Sequence, residues 1–249
     1  PLPRDALARA GPSGPDRVMT DIPAPSAVVV GASGGLGAAL VTALNGTERF
    51  GRVHALSRAT GLDLEDEASI AAAATGIDGG GHPGLVLVAS GVLHGGFEPE
   101  RSYRAIDPVH MARDYRINTI GPALVAKHFL PLLPREGRSV FAVLSARVGS
   151  IGDNRLGGWH SYRASKAALN MMLRNLAIEM ARTHPQAVVA GLHPGTVDTA
   201  LSAPFQRGVK PGKLFSPAQS AGYLLDVIDG LRPADSGGVF PWDGVRIPE

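Results

Sequence analysis

Tyr162 and Lys166 stand four residues apart in "YRASK", at the head of a long apolar run. On a helix that spacing puts both side chains on one face. A phenol, with an ordinary pKa of about 10, is a poor base at neutral pH. A neighbouring ammonium favours the phenolate and lowers that pKa. Such a pair can exchange a proton with an alcohol or carbonyl oxygen. The same residues also suit an exposed phenol and a solvated amine, and five residues do not decide between the two.

A second stretch has its own chemistry. "VVVGASGGLGAAL" places Gly31, Gly35 and Gly37 between a short apolar strand and a helix. The spacing is GxxxGxG, not the commoner GxGxxG. Without Cβ atoms the backbone can turn sharply and approach a pyrophosphate, and the helix N-terminus offers N–H groups and a positive dipole end. Ser33 adds a hydroxyl donor, and Gly34 and Leu36 complete the turn. A tight structural turn would use the same glycines. The next strand ends Leu56-Ser57-Arg58. The acidic residue that often binds the adenosine ribose hydroxyls there is missing, and a hydroxyl and a guanidinium stand in its place. Arginine suits a 2′-phosphate by geometry and charge, which favours NADP(H), with NAD(H) as the alternative.

The elements that must hold these groups alternate along the chain. Ala27–Val30, 52–57, 85–90, 139–145 and 187–193 read as strands, and "GGVFPW" as a short last one. Helices are expected after the glycine turn and over 65–75, 107–133, 161–183 and 216–230. Strands alternating with helices predict a parallel sheet covered on both faces. Only five residues lie between Ser57 and Asp63, too few for a helix, so that half of the sheet should be compact.

Composition narrows the classes. The 249 residues are 44% hydrophobic and 18% charged, which fits one α/β domain with a full core. Net charge is +2 and the pI about 9.2, but no run of Lys or Arg points to nucleic acid or an anionic membrane. Cysteine is absent, which removes disulfides, thiolate metal sites and a cysteine nucleophile, and suits a cytoplasmic location. The eight histidines are scattered, and no metal site is expected. No apolar run approaches the roughly 18 residues of a membrane span. The N-terminus lacks a signal-peptide layout. Residues 1–25, rich in Pro, Gly, Arg and Asp, should form a flexible tail on a domain of residues 26–249, with Met19 a candidate natural start.

Together these motifs resemble the classical short-chain dehydrogenase/reductase family over about residues 26–244, in a branch with C-factor-like and carbonyl-reductase-like members. "GASGGLG" resembles its cofactor loop, Asp63-Leu64 its acidic motif near the adenine, and Asn118 in "RINTIG" its helix asparagine. Ser145 resembles the substrate-binding serine, "YRASK" the Tyr-x-x-x-Lys core, and "HPGTVDT", with Pro194, Gly195, Val197 and Thr199, the loop over the nicotinamide. The resemblance implies a doubly wound Rossmann-type domain with a seven-stranded parallel sheet in the order 3-2-1-4-5-6-7. It implies hydride transfer between a nicotinamide and a small-molecule carbonyl or alcohol. Tyr162 would be the acid–base, Lys166 would hold the ribose and lower the tyrosine pKa, Ser145 would orient the carbonyl, and Asn118 would anchor a relay water. A homodimer or homotetramer through the 107–133 and 161–183 helices is also implied.

Two departures stand out. Where the family has Asn-Asn-Ala-Gly, this chain has Val88-Ala89-Ser90-Gly91, so only Gly91 keeps the close approach to the cofactor beside Ala89 and Ser90. The usual paired serines are Ser145-Ala146, so the catalytic position falls on Ser145 or, in the other register, on Ala146 with Ser145 or Ser150 supplying the hydroxyl. The long "GDNRLGGWHS" interval should line the substrate pocket with Trp159, and residues 196–215 should form its lid. A dinucleotide-binding regulatory or signalling protein with little catalysis is the alternative function.

Overall fold

The computed structural model describes residues 24–77 and 81–249. The expected tail therefore lies, apart from Ala24 and Pro25, outside the described residues. β1, Ser26–Val30, is buried at every position. A run of valines with no polar alternation suits a strand covered on both faces. It pairs in parallel with β2, Arg52–Leu56, on one side and β3, Pro83–Val88, on the other. The sheet continues through β4, Ser139–Leu144, and β5, Ala187–His193, to a last strand, Val239–Pro241, that pairs with three residues of β5.

Strand alternation sends side chains to two cores. Val28, Val30, Val86, Val88 and Phe141 face one layer, which holds Ile70 of α2 (Glu67–Thr75), Phe129 of α4 (Gly121–Phe129), and Leu169 and Leu173 of α5 (His160–Met180). Ala27, Val29, Leu85 and Leu87 face the other, which holds Leu40 of α1 (Gly35–Asn45) and Leu224 and Ile228 of α6 (Pro217–Gly230). α3, Pro108–Tyr115, precedes α4 and packs on α5.

The sheet follows the expected order for six strands, and the seventh is missing among the described residues. After β2 the chain makes one 3-10 turn, Arg58–Thr60, and enters α2 at Glu67. That interval has no room for a strand as well as a turn, so β2 forms the edge. The expected continuous helix over 107–133 is also interrupted. A π-turn at Arg116–Ile120 separates α3 from α4, and a 3-10 turn follows at Leu130–Leu132.

Strand order reverses at β1, flanked by β2 and β3, and ligands bind in such sheets at the carboxyl ends beside that reversal. No helix among the described residues is long and apolar enough to cross a membrane.

Candidate active site

The glycine turn leaves β1 with Gly31 at φ +88°, a conformation glycine adopts without strain. A Cβ there would overlap Ser90 Oγ, and one on Gly37 would overlap the carbonyl oxygen of Gly31. The two absent side chains let the first turn of α1 fold against the loop after β3. Gly34 caps α1 without a side-chain hydrogen bond, and no acid stands in the first turn. Ser33 and Gly35 are exposed there, while Leu36 is buried. These open N–H groups in a cradle that Cβ atoms would fill fit a dinucleotide pyrophosphate.

The end of β2 lies against this turn, because Gly31 and Ala32 both donate to Leu56 O, at 2.8 and 3.0 Å. Ser57 is buried and its N–H donates to Thr60 Oγ1 at 2.8 Å, which leaves Arg58 exposed at the rim. Asp63 Oδ1 accepts from Glu65 N–H within its own loop, and Leu64 packs on Gly121 of α4. Ala89 N–H donates to Val30 O at 2.7 Å, and Gly91 follows with its missing side chain between Asn118 Oδ1 and Lys166 Nζ.

Asn118 sits inside the π-turn and is fully buried. It exchanges two hydrogen bonds of 2.9 Å with the backbone of Val92 and donates to Ser165 Oγ at 3.1 Å. Thr119 adds a bond to Ser165 O at 2.8 Å. Asn118 thus ties the loop after β3 to α5 next to Lys166, and π-turns recur at functional sites for such re-aiming.

Tyr162 and Lys166 lie one turn apart on α5, both buried, with Nζ 6.0 Å from the phenol ring centroid. Lys166 donates to Leu144 O at 2.8 Å. Burial pulls its ammonium down to about 8, against the Asp114 carboxylate, which holds it up. Burial, and then Asp114, push the Tyr162 phenol above its ordinary range. The tyrosine is thus moved opposite to the lowering expected from the lysine, because loss of solvent disfavours the phenolate.

Ser145 lines the cavity, but its hydroxyl donates to Asn170 Oδ1 at 2.6 Å. The side chain that shares an apolar cluster with Tyr162 and Leu93 is Ala146. Ser150 Oγ is bonded to Pro248 O. The neighbouring wall is aromatic. Trp159, held at φ +51°, lies 6.2 Å from the Tyr162 ring and 5.1 Å from Phe205.

Residues 196–215 do arch over the cavity. Thr196–Val197 pairs with Leu214–Phe215, and Ala200, Leu201 and Phe205 face inward. Thr199 touches Gly35, Pro194 O accepts from Ser220 Oγ, and Gly195 lies against Phe215 and Trp242. Val197 is buried. His94 reaches this lid, with Nε2 3.0 Å from Ala200 O. His193 also lines the cavity, and burial draws its imidazole down to about 4, so it is neutral. The cleft has a volume of about 590 Å³. No metal-binding cluster occurs among the described residues.

The sequence reading missed Asn170 and a buried set formed by Glu100, His110 and Asp114, whereas Phe205 lies within the expected 196–215 lid. Asp114 carried one signal, its position four residues before Asn118 on the same helical run.

The short chain dehydrogenase family matches residues 47–210, a stretch that holds Asn118, Ser145, Tyr162 and Lys166 and begins after the glycine turn. C-signal of Myxococcus xanthus is 37% identical over 144 residues, covering 57% of this chain and 81% of that protein. The 1-hydroxy-2-glutathionyl-2-methyl-3-butene dehydrogenase of Rhodococcus sp. (strain AD45) is 39% identical over 137 residues, covering 54% of this chain and only 57% of that enzyme. NADPH-bound carbonyl reductase from chicken fatty liver has a similar structure, with a TM-score of 0.76 at 23% identity over 92% of this chain and 95% of that one. Carbonyl reductase Sniffer of D. melanogaster gives 0.76 at 20% identity over 91% and 99%. These two show the shared fold. Because the family match spans well over half of the sequence and includes the paired tyrosine and lysine, the chain belongs to the short chain dehydrogenases.

Proposed function

We propose that the chain is an NADP(H)-dependent oxidoreductase for a small-molecule carbonyl/alcohol pair, with Tyr162 as general acid–base. The observation that carries this reading is the burial of Tyr162 and Lys166 side by side on a cavity whose far wall is the glycine turn. Gly31, Ser33, Gly34, Gly35, Leu36 and Gly37 would hold the pyrophosphate. Arg58, with Ser57, would meet the 2′-phosphate, and NADP(H)-bound neighbours of the same fold support that choice. Asp63, Leu64, Ala89, Ser90 and Gly91 would flank the adenosine side, and Pro194, Gly195, Val197 and Thr199 the nicotinamide side. When bound, the dinucleotide supplies or accepts the hydride.

The chain's own residues handle the proton and the pocket. Tyr162 gives its hydroxyl proton to the carbonyl oxygen during reduction and takes it back during oxidation. Lys166 supplies positive charge beside the resulting phenolate. Asn118 fixes the backbone of Val92 and the start of α5, so the tyrosine keeps its aim. Leu93, Ala146 and Val148, with the rings of Trp159 and Phe205, make an apolar wall that suits a flat apolar carbonyl compound. A homo-oligomer is retained as a proposal, supported by exposed Val109, Ile120, Met171 and Ile178 on the α3–α5 surface.

Tyr162→Phe tests the assignment. Fold and NADPH binding should persist, while turnover in a screen of aldehydes, ketones and quinones falls by about 10²-fold or more. Normal turnover in that variant would exclude Tyr162 as the acid–base. A dinucleotide-binding regulator is the second reading, favoured by Ala146 beside the tyrosine. Tight NADPH binding with no turnover across the screen would select it.

A further inference from the structure

Behind the Tyr162–Lys166 pair lies a set of titratable groups that the proton exchange above does not use. His110 and Asp114 occupy successive turns of α3, and Glu100 comes from the loop after β3. His110 Nδ1 is 3.5 Å from Glu100 Oε1, and Nε2 is 3.6 Å from Asp114 Oδ2. All three side chains are buried, Asp114 at 0% exposure. Phe97 stacks flat on the imidazole, with centroids 4.8 Å apart.

This set is joined to α5 at the residues around the tyrosine. Glu100 accepts from the N–H and hydroxyl of Ser161, and its backbone carbonyl accepts from Trp159 N–H. Asp114 lies one turn before Asn118, which bonds Ser165 and flanks Gly91 opposite Lys166 Nζ. Neither carboxylate oxygen of Asp114 has a hydrogen-bond partner among the described residues, nor does His110 Nε2. A buried carboxylate left that way is costly, and packing alone would be served better by an apolar residue.

We propose that Asp114, backed by His110 and Glu100, is a positioning residue whose buried charge keeps both Lys166 and Tyr162 protonated, so that the tyrosine meets a carbonyl substrate as a loaded acid. The groups that face Asp114 are His110 and Arg113 from α3, Glu100 from the preceding loop, and Tyr162 and Lys166 from α5. Burial lifts the Asp114 carboxyl to about 6, against the pull of His110, Arg113 and Lys166. Above that pH it is an anion and opposes loss of a proton from both members of the pair. Removing the charge lets both lose their protons at lower pH.

The test follows the side chain of Lys166 by NMR in lysine-labelled protein, which has four lysines. Lys166→Met identifies its signal, and Lys127, Lys210 and Lys213 serve as internal controls. In Asp114→Asn the Lys166 midpoint should drop by about one pH unit or more from its wild-type value near 8, a tenfold change. The basic limb of the alcohol-oxidation rate should move the same way. An unmoved Lys166 midpoint in folded Asp114→Asn overturns the coupling. If that variant does not fold, the wild-type signal decides. A second inflection of Lys166 near pH 6, coincident with the Asp114 carboxyl carbon, supports the coupling, and a single transition overturns it. The proposal rests on the reading of Tyr162 and Lys166 as the proton pair, yet the NMR arm needs no turnover, so a failed activity screen and a failed coupling remain distinguishable.

Discussion

The hydroxyl of Ser145 donates to Oδ1 of Asn170 at 2.6 Å, one turn beyond Lys166 on α5. That bond turns the serine toward the helix, while Ala146, the next residue, shares the apolar cluster with Tyr162. Orienting a substrate carbonyl from Ser145 would require the hydroxyl to leave Asn170. Ser145→Ala should therefore cost only the few-fold expected from one neutral hydrogen bond, about 1 kcal/mol. Ala146→Ser places a hydroxyl beside the tyrosine and should raise kcat/KM. A loss of about 10²-fold in Ser145→Ala, with no gain in Ala146→Ser, would give the carbonyl-orienting role back to Ser145.

Arg58 offers a separate test of cofactor choice. Its side chain is exposed at the end of β2, where the backbone of the glycine turn bonds Leu56. Arg58→Ala should weaken NADPH binding by roughly 1.5–3 kcal/mol, the scale of a hydrogen bond to a charged group. NADH binding should hardly change. Equal losses for both dinucleotides, measured by titration calorimetry, would show that Arg58 does not read the phosphate.

Much of this arrangement was legible before folding. The valines of β1 announced a strand buried on both faces, and the four-residue spacing of Tyr162 and Lys166 placed them on one face of α5. Other features depend on contacts between distant segments. The π-turn at Arg116–Ile120 is accompanied by bonds from Asn118 and Thr119 to Val92 and Ser165, none of which shows in helical periodicity. The choice between Ser145 and Ala146 is a one-residue question at a strand end, where successive side chains point to opposite faces. The seventh strand came from the resemblance, although the short Ser57–Asp63 interval already argued against extra structure there. The Glu100–His110–Asp114 set joins a loop to a helix, and its only local mark is the four-residue spacing from His110 to Asp114 and on to Asn118.

Asp114 should also leave a mark on stability. Its carboxyl rises from 3.8 to about 6 on folding, so the folded state binds the proton more tightly than the unfolded chain. Stability is then lost as pH rises from about 4 to 6, and the cost is fully present above 6. A shift of that size corresponds to roughly 3 kcal/mol. The Tm of Asp114→Asn relative to wild type should therefore climb between pH 4 and 6 and then level off. A difference that is flat with pH would mean that the carboxyl is not perturbed in the fold.

Lys166 tests the pair from the other side. Its ammonium is buried and falls from 10.5 to about 8, which costs stability below pH 8, a cost that fades as pH rises toward 10.5. Lys166→Met keeps most of the side-chain length without the charge, so at pH 7 it should stabilise the fold by up to roughly 3 kcal/mol, and at pH 10.5 by far less. The same variant should bind NADPH more weakly. Its alcohol-oxidation profile should move to higher pH, because phenolate forms less readily without a neighbouring cation. This shift is opposite in sign to the one expected for Asp114→Asn. A more stable protein that works worse is the behaviour of a residue kept for chemistry rather than packing. Unchanged NADPH affinity together with an unmoved pH profile would reduce Lys166 to a buried amine with no part in the reaction.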